Sequence, residues 1–379
     1  MESIKKIIIG IITLFSLVNN SYAQQVQGKT QFAINISDQG SVQCEVPLQV
    51  PQGVAGVQPN ISLDYNSSRG FGLLGYGWEL SGISYIRRDA KELYFDGKIA
   101  AVQMDTSDRF CLNGQRMIKI GNPSQYMVEG GEFGLEEEDF TRIKCYNVAG
   151  NPPKPQYFIA TFDNGTTARY AVSEMQDWYS WYVDSVADIN GNYMRYHYTK
   201  TLGNCVRIDS ITYTGNHYTG QVPFNTVEFL YDTIDVVYPK YVKNMKINRN
   251  YRLSEVVIKA EGIIKHRYVM TYNTTSNNKY SLNKITEYNE NNEFFKPIEF
   301  TYGSPESFSS KTLISNQLYG SQQTILHGYF YYTDALNILN LRLADGNLYY
   351  RRDGNNQDLS PFGGSFNLYN QFINSREIM

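Results

Sequence analysis

The chain has 379 residues with 42% hydrophobic and 19% charged side chains, a globular balance that excludes a wholly disordered polypeptide and allows at least two folding units. Its formal net charge of −3 gives no electrostatic ground for a nucleic-acid partner. Tyrosine occurs 32 times and outnumbers leucine, while Asn, Gly and Thr are plentiful and Ala is sparse, a mixture that disfavours helical bundles and suits strands joined by tight turns.

In chain order, the first predicted element is an export signal. Lys5 and Lys6 precede an apolar run over residues 7–18, and Ser21 and Ala23 put small residues at −3 and −1 of a cleavage point between Ala23 and Gln24. The apolar run is too short to span a bilayer comfortably, and nothing downstream reads as a transmembrane helix. Residues 1–23 are therefore expected to be a signal peptide, and the remainder a secreted chain, with periplasm or cell surface as alternative destinations. Cysteines Cys44, Cys111, Cys145 and Cys205 follow it. An even number in an exported chain permits three complete disulfide pairings, and the sequence neither chooses among them nor requires any. The absence of a C-x-x-C pair disfavours zinc.

Short strands with turn punctuation fill the next stretch. Ile61, Leu63 and Tyr65 alternate with polar neighbours, and similar period-2 runs occupy residues 157–162, 193–198, 227–231, 254–259, 266–272 and 298–302. Hairpin dipeptides stand between runs: Asp96-Gly97, Asn113-Gly114, Asn164-Gly165, Asn190-Gly191, Asp345-Gly346 and Asp353-Gly354. Asn or Asp before Gly tolerates the positive φ of type I′ turns, so an all-β fold of antiparallel hairpins is predicted. Tyrosine-decorated hairpins recur loosely, as in FDNGTTARY and DINGNYMRYHY, without a strict solenoid period. The acidic run GLEEEDF lacks an apolar stripe and reads as a solvated loop. At SPESFSS, residues 304–310, the composition shifts, placing a boundary between a β module (24–303) and a tail (304–379). Strand candidates in that tail are few, at residues 328–332, 338–343, 348–352 and 366–369, so it is expected to be the least stable part of the chain.

Motifs that carry chemistry fail one by one. GFGLLGYG (70–77) contains G-x-G-x-x-G, but a dinucleotide site needs a helix immediately after it, and the following GWELSGISYIRR is too glycine-rich and alternating to form one. A packed turn in which backbone passes close to Trp78 accounts for the glycines instead. His197, His217, His266 and His327 are isolated from one another and from carboxylates at metal spacing, and no G-x-S-x-G elbow occurs. Asp188-Ile189-Asn190-Gly191 departs from calcium-loop spacing and reads as an ordinary turn. In DWYSWYVDSV, alternation sends Trp178 to one face and Trp181 to the other. Those rings form either an exposed stacking surface for sugars or a partner, or the inner face of a sheet layer.

One segment is specific. VPQGVAGVQPNISLDYNSSRGFGLLGYGWELSGISYIRR, residues 50–88, resembles the signature of the SpvB/TcdB family, the N-terminal region of SpvB-type virulence proteins and insecticidal toxin-complex B components. The matching residues are Pro51, Gly53, Gly56, Pro59, Leu63, Tyr65, Ser67, Gly70, Gly72, Gly75, Gly77 and Trp78, and the later D-x-x-G-N hairpin contributes Asp188, Gly191 and Asn192. Similarity continues in order to residue 303, and the tyrosine-rich hairpins are also in the style of Rhs/YD-repeat proteins. The resemblance implies one wall of a hollow β-shell of the kind that encloses a toxic cargo, a degenerate β-propeller start in the tail, and no catalytic residues to carry over. Glu136-x-Glu138 superficially matches the E-x-E motif of ADP-ribosyltransferases but lacks the preceding S-T-S element.

The expected protein is therefore an exported, non-enzymatic scaffold and encapsulation module. It is expected to need no cofactor or metal and to partner a toxin-like or Rhs-repeat polypeptide, from the same locus or a longer parent chain. Two rival readings remain, a carbohydrate-binding surface module using Trp178 and Trp181 and a glycoside hydrolase using paired carboxylates.

Overall fold

The computed structural model describes residues 28–122, 126–171, 179–201, 205–243, 245–274 and 279–303, and the backbone of three further strands beyond residue 338. The expected signal peptide with its Ala23–Gln24 cleavage point, Trp178, His327, Asp353-Gly354 and the tail candidates at 328–332 and 366–369 lie outside the described residues. The chain divides into two compact units between Tyr302 and Gly303.

The first unit opens with β1 (Ala33–Ile36), β2 (Val42–Pro47) and β3 (Ser62–Asn66). A two-residue pair follows, β4 (Phe71–Gly72) with β5 (Gly75–Tyr76), and then β6 (Trp78–Ser81). These form an antiparallel sheet in the order β1-β2-β3-β6, with β4 and β5 as a separate small hairpin. Alternation in β2 and β3 buries Cys44, Val46 and Leu63.

The chain next builds a barrel. Its strands are β7 (Tyr85–Asp89), β8 (Arg109–Leu112), β9 (Gln115–Lys119), β10 (Glu132–Leu135), β11 (Arg142–Tyr146), β12 (Tyr157–Thr161), β13 (Thr167–Tyr170) and β14 (Ser180–Ala187). Each pairs antiparallel with the next in sequence from β7 to β13, β13 pairs with β14, and β14 returns to β7, so eight strands close on themselves. Eight strands leave an interior that side chains just fill. Phe110, Phe133, Phe158 and Trp181 fill it, all fully buried, with Phe110, Phe158 and Trp181 in mutual edge contact at 5.1 to 5.6 Å between ring centres. The Trp181 indole N–H is satisfied by the Pro155 carbonyl at 3.1 Å.

Closure depends on a division of labour along β14. Its first half pairs with β7 (Trp181 opposite Ile86), and its second half pairs with β15 (Asn192–Lys200; Val186 opposite Met194). From that handover a wall of long antiparallel strands continues: β16 (Val206–Asn216), β17 (Asn225–Val242), β18 (Met245–Ala260), β19 (Ile263–Thr274), β20 (Tyr280–Asn289) and β21 (Ile298–Glu299). Barrel and wall form one 15-stranded sheet.

Beyond the boundary, β22 (Leu339–Ala344), β23 (Asn347–Arg352) and β24 (Ser360–Pro361) form an antiparallel three-stranded sheet. Asp345-Gly346 itself lies outside the described residues.

Two expectations are corrected, and the pairing of the cysteines, left open by the sequence, is described with them. Asp96-Gly97 is not a hairpin: Asp96 ends a one-turn helix, α1 (Leu93–Asp96), and Gly97 caps it with φ 66°. GLEEEDF is only partly loop, because Gly134 and Leu135 belong to β10. The cysteines form no disulfide; Cys44, Cys111, Cys145 and Cys205 are each buried in the fold. Burial pushes the Cys44 and Cys145 thiols up to about 11, with Asp64 adding to the effect at Cys44, so both remain protonated and unreactive near neutrality.

Candidate functional site

The signature segment is a set of close backbone approaches that fasten the first sheet to the wall. Pro51, Gly53, Gly56 and Pro59 lie in the loop between β2 and β3. A Cβ on Gly53 would stand 2.1 Å from the Val57 carbonyl oxygen, and the Gly53 N–H donates to Gln58 Oε1 at 2.8 Å. Gly56 sits at φ 80° at the end of a 3-10 turn, and Pro59 is buried. The loop docks at two points. The Tyr213 hydroxyl of β16 donates to the Pro51 carbonyl at 2.9 Å, and the Gln49 N–H donates to the Tyr268 hydroxyl of β19 at 3.0 Å. Tyr268 in turn donates to the buried Glu287 at 3.0 Å, which His266 Nδ1 also meets at 2.9 Å.

Leu63, Tyr65 and Ser67 then position the glycine hairpin. Leu63 is fully buried, the Tyr65 ring lies 5.3 Å from Trp78, and Ser67 Oγ accepts the Val42 N–H at 2.9 Å. Gly70 accepts the Gly77 N–H at 3.0 Å across the hairpin neck. A Cβ on Gly72 would lie 2.0 Å from the Trp78 carbonyl oxygen, and one on Gly75 would lie 2.8 Å from the Tyr280 carbonyl. Gly75 has φ 106° and Gly77 φ 79°, the latter against the Tyr65 ring. The element after this G-x-G-x-x-G is strand β6, not a helix whose N-terminus could hold a pyrophosphate. Trp78 is buried, with its indole N–H donating to the Tyr302 hydroxyl at 2.9 Å.

At the D-x-x-G-N turn, Asp188 Oδ1 accepts the N–H groups of Asn190 and Asn192 at 2.9 and 2.8 Å, and Oδ2 accepts the Asn192 side-chain amide at 2.7 Å. Gly191 at φ 80° packs on the Tyr218 ring. The carboxylate therefore organises its own turn. Among the described residues no group of three or more His, Cys, Asp or Glu could hold a metal ion, and no helix is long and apolar enough to cross a membrane.

Trp181 does not offer a stacking platform for a sugar. It is the inner-face alternative, fully buried in the barrel. Glu136 and Glu138 follow β10, and Glu138 pairs with Arg142 at 2.8 Å.

The structure also assembles a feature that sequence reasoning missed. The glycine hairpin, β6, β7, β14 and the long strands β16 to β18 enclose a cavity of about 1100 Å³. Tyrosines from all sides reach it, including Tyr85, Tyr182, Tyr198, Tyr231 and Tyr251. Tyr182 packs against both Tyr85 and Tyr198, and Tyr231 meets Tyr251 edge-on at 5.4 Å. Burial pushes the Tyr182 hydroxyl up to about 12, against the pull of Arg249, so it stays a neutral hydrogen-bonding group. The charged lining comprises Arg69, Arg87, Arg207 and Arg249 against Glu79. These arginines come from strands and turns far apart in the chain, and no local pattern marks them.

A family profile described as "Salmonella virulence plasmid 65kDa B protein" (SpvB) matches residues 36–303. The chain belongs to the SpvB family. A search of the curated proteins found no match. Among solved structures, a TcdB2-TccC3 crystal structure aligns with a TM-score of 0.66 at 14% identity, covering 89% of this chain and 20% of that one. The Photorhabdus luminescens Tc holotoxin pore, carrying a TccC3 D651A change, aligns with a TM-score of 0.62 at 12% identity over 90% of this chain and 20% of its own. The N-terminal domain of effector SpvB from Salmonella typhimurium strain LT2 aligns with a TM-score of 0.51 at 14% identity, covering 64% of this chain and 98% of that domain. The chain thus spans about a fifth of the length of the toxin-complex chains it matches. The all-β, antiparallel architecture is shared with these toxin-related structures.

Proposed function

We propose that this chain is an exported, non-catalytic scaffold and encapsulation module of an SpvB/Rhs-type toxin system, contributing a wall and a partner surface for a toxin-like or Rhs-repeat polypeptide. The observation that carries the reading is the continuous 15-stranded sheet. Its closed barrel is an anchor with a filled interior, while its remaining strands run on as an open wall. Such a wall buries one face on the signature loop and the hairpin while its other surface and edges remain available to further chain. Membership of the SpvB family and the fold shared with toxin-complex components support the same reading.

Cross-linking mass spectrometry on the chain captured in its native secretion tests this. Cross-links from the wall strands to a toxin-like or Rhs-repeat polypeptide are expected. A chain that is isolated without such a polypeptide and shows saturable binding on a glycan array would overturn the scaffold reading in favour of a carbohydrate-binding module.

A further inference from the structure

We infer that the cavity between the glycine hairpin and the long strands is a binding site for an extended acidic peptide segment, with Arg207 and Arg249 as its anion-holding groups. This deepens the partner-surface reading and rests on it for the source of the peptide. Arg249 is the first observation. Its side chain is partly buried on β18, yet no hydrogen-bonded acceptor is present for its guanidinium among the described residues. Glu79 is the carboxylate that most supports its charge, and the two do not close an ion pair. Glu79, with Tyr251 beside it, outweighs burial and keeps the guanidinium charged, so its N–H groups can serve an incoming anion.

Arg207 is the second. It lies over the Tyr231 ring at 4.8 Å and the Tyr251 ring at 5.7 Å, and its Nε reaches Asp209 at 3.2 Å. Stacking fixes the plane of the guanidinium before any ligand arrives, so less entropy is lost on binding. With Arg69 and Arg87 also on the lining, the charged groups number four guanidinium groups to one carboxylate.

The chemistry of the lining selects among anions. Tyr198, Tyr231 and Tyr251 donate their hydroxyls to the Val183, Ile208 and Val206 carbonyls at 2.7, 2.7 and 3.4 Å, so they show the cavity mainly their rings. A neutral sugar gains nothing from the excess of guanidinium groups on this lining. Carboxylates find guanidinium donors, and apolar side chains find aromatic faces. At about 1100 Å³ the space is at the upper end of small-ligand pockets, which suits a segment of chain better than a single small anion.

Isothermal titration calorimetry on the full chain at low salt tests the assignment, using a short peptide of Glu, Leu and Gly, its Gln-for-Glu counterpart, inorganic phosphate and an oligogalacturonate. The acidic peptide is expected to bind, the Gln counterpart and phosphate not to, and added salt to weaken binding. Arg249→Gln should lower affinity about tenfold, with Arg249→Lys keeping part of it. Arg207→Gln serves as the second variant should Arg249→Gln fail to fold. Absence of saturable peptide binding, unchanged wild-type affinity in both Gln variants, or preference for oligogalacturonate would each overturn the proposal. Cross-links to a toxin-like polypeptide that persist while peptide binding fails would sink this inference and leave the scaffold reading standing.

Discussion

The indole N–H of Trp78 donates to the hydroxyl of Tyr302 at 2.9 Å, joining residues 224 positions apart. Tyr302 in turn donates its hydroxyl to the Leu282 carbonyl at 2.7 Å, and Phe300 packs on Trp78 with ring centres 4.6 Å apart. The last residue of the first unit is thereby tied to the tryptophan that closes the family signature, through a three-group relay that ends on β20.

Removing the hydroxyl breaks that relay at its centre. Tyr302→Phe leaves the buried Trp78 N–H without its acceptor, and is expected to cost about 1–3 kcal/mol in urea unfolding. A loss below a few tenths of a kcal/mol would mean that water or another group takes over the indole.

Gly75 and Gly97 make a matched pair of left-handed glycines. At Gly75, with φ 106°, a Cβ would also meet the Tyr280 carbonyl at 2.8 Å, whereas Gly97, with φ 66°, has nothing within 4 Å. Gly75→Val is therefore expected to cost about 3 kcal/mol, combining backbone strain and overpacking, and Gly97→Ala only about 1 kcal/mol. Equal losses in chemical denaturation would show that the close approach to β20 is not what requires glycine.

A buried ion network holds α1 to the barrel. Asp96 contacts Arg109 Nε at 2.6 Å and also pairs with Arg116, and both Asp96 and Arg116 side chains are almost fully buried. Burial acts to raise the Asp96 carboxyl, but the Glu92 N–H and the two arginines outweigh it and hold the group below the usual carboxylate range. A depressed native value means its stabilising contribution is full above the unfolded value and is lost as pH falls through the native one. Asp96→Asn should cost about 2–3 kcal/mol near neutrality, because the remaining carboxylates near Arg116, Asp89 and Glu92, each lie at 3.7 Å. The acid limb of the stability profile should flatten in that variant, and an unchanged limb would count against Asp96 as its source.

Alkaline pH loads the tyrosines in the opposite direction. Burial pushes Tyr170, Tyr182, Tyr213 and Tyr302 up to about 12 from an ordinary value of 10. In the native state these groups keep their protons after the unfolded chain has lost them, so stability is full below pH 10 and falls as pH rises towards 12. Spectrophotometric titration should show a cooperative tyrosinate step above the ordinary value, coincident with loss of near-UV circular dichroism. A single non-cooperative step around the ordinary value would contradict the buried placement of the wall tyrosines.

Much of this architecture is local and was therefore legible from residues alone. Asn113-Gly114 adopts positive φ at both positions, 51° and 90°, and joins β8 to β9 as the dipeptide predicts. Asn164-Gly165 and Asn190-Gly191 also join consecutive strands, but there only the glycines have positive φ, at 79° and 80°, so these turns are not the type I′ form the dipeptide predicts. Glu261-Gly262 makes the same kind of turn as Asn113-Gly114, with φ 51° and 80°, but glutamate is not among the residues that advertise one. Asp96-Gly97 carries the right dipeptide in the wrong context, since the preceding residues close a helical turn rather than a strand.

What only the tertiary structure decided concerns partners distant in sequence. Alternation separates Trp178 from Trp181, but the return of β14 to β7 and β13 is what makes the Trp181 side the barrel interior. The family signature marks its residues, while the groups that Gly75, Pro51 and the preceding Gln49 meet, Tyr280, Tyr213 and Tyr268, come from strands well over a hundred residues later. Arg87 and Arg249 reach one cavity only because β7, β14 and the wall strands enclose it. A period-2 pattern specifies which side chains share a face of one strand. Which surface that face meets depends on non-local pairing, and that is chosen by burial summed over the whole sheet rather than by any short run of residues.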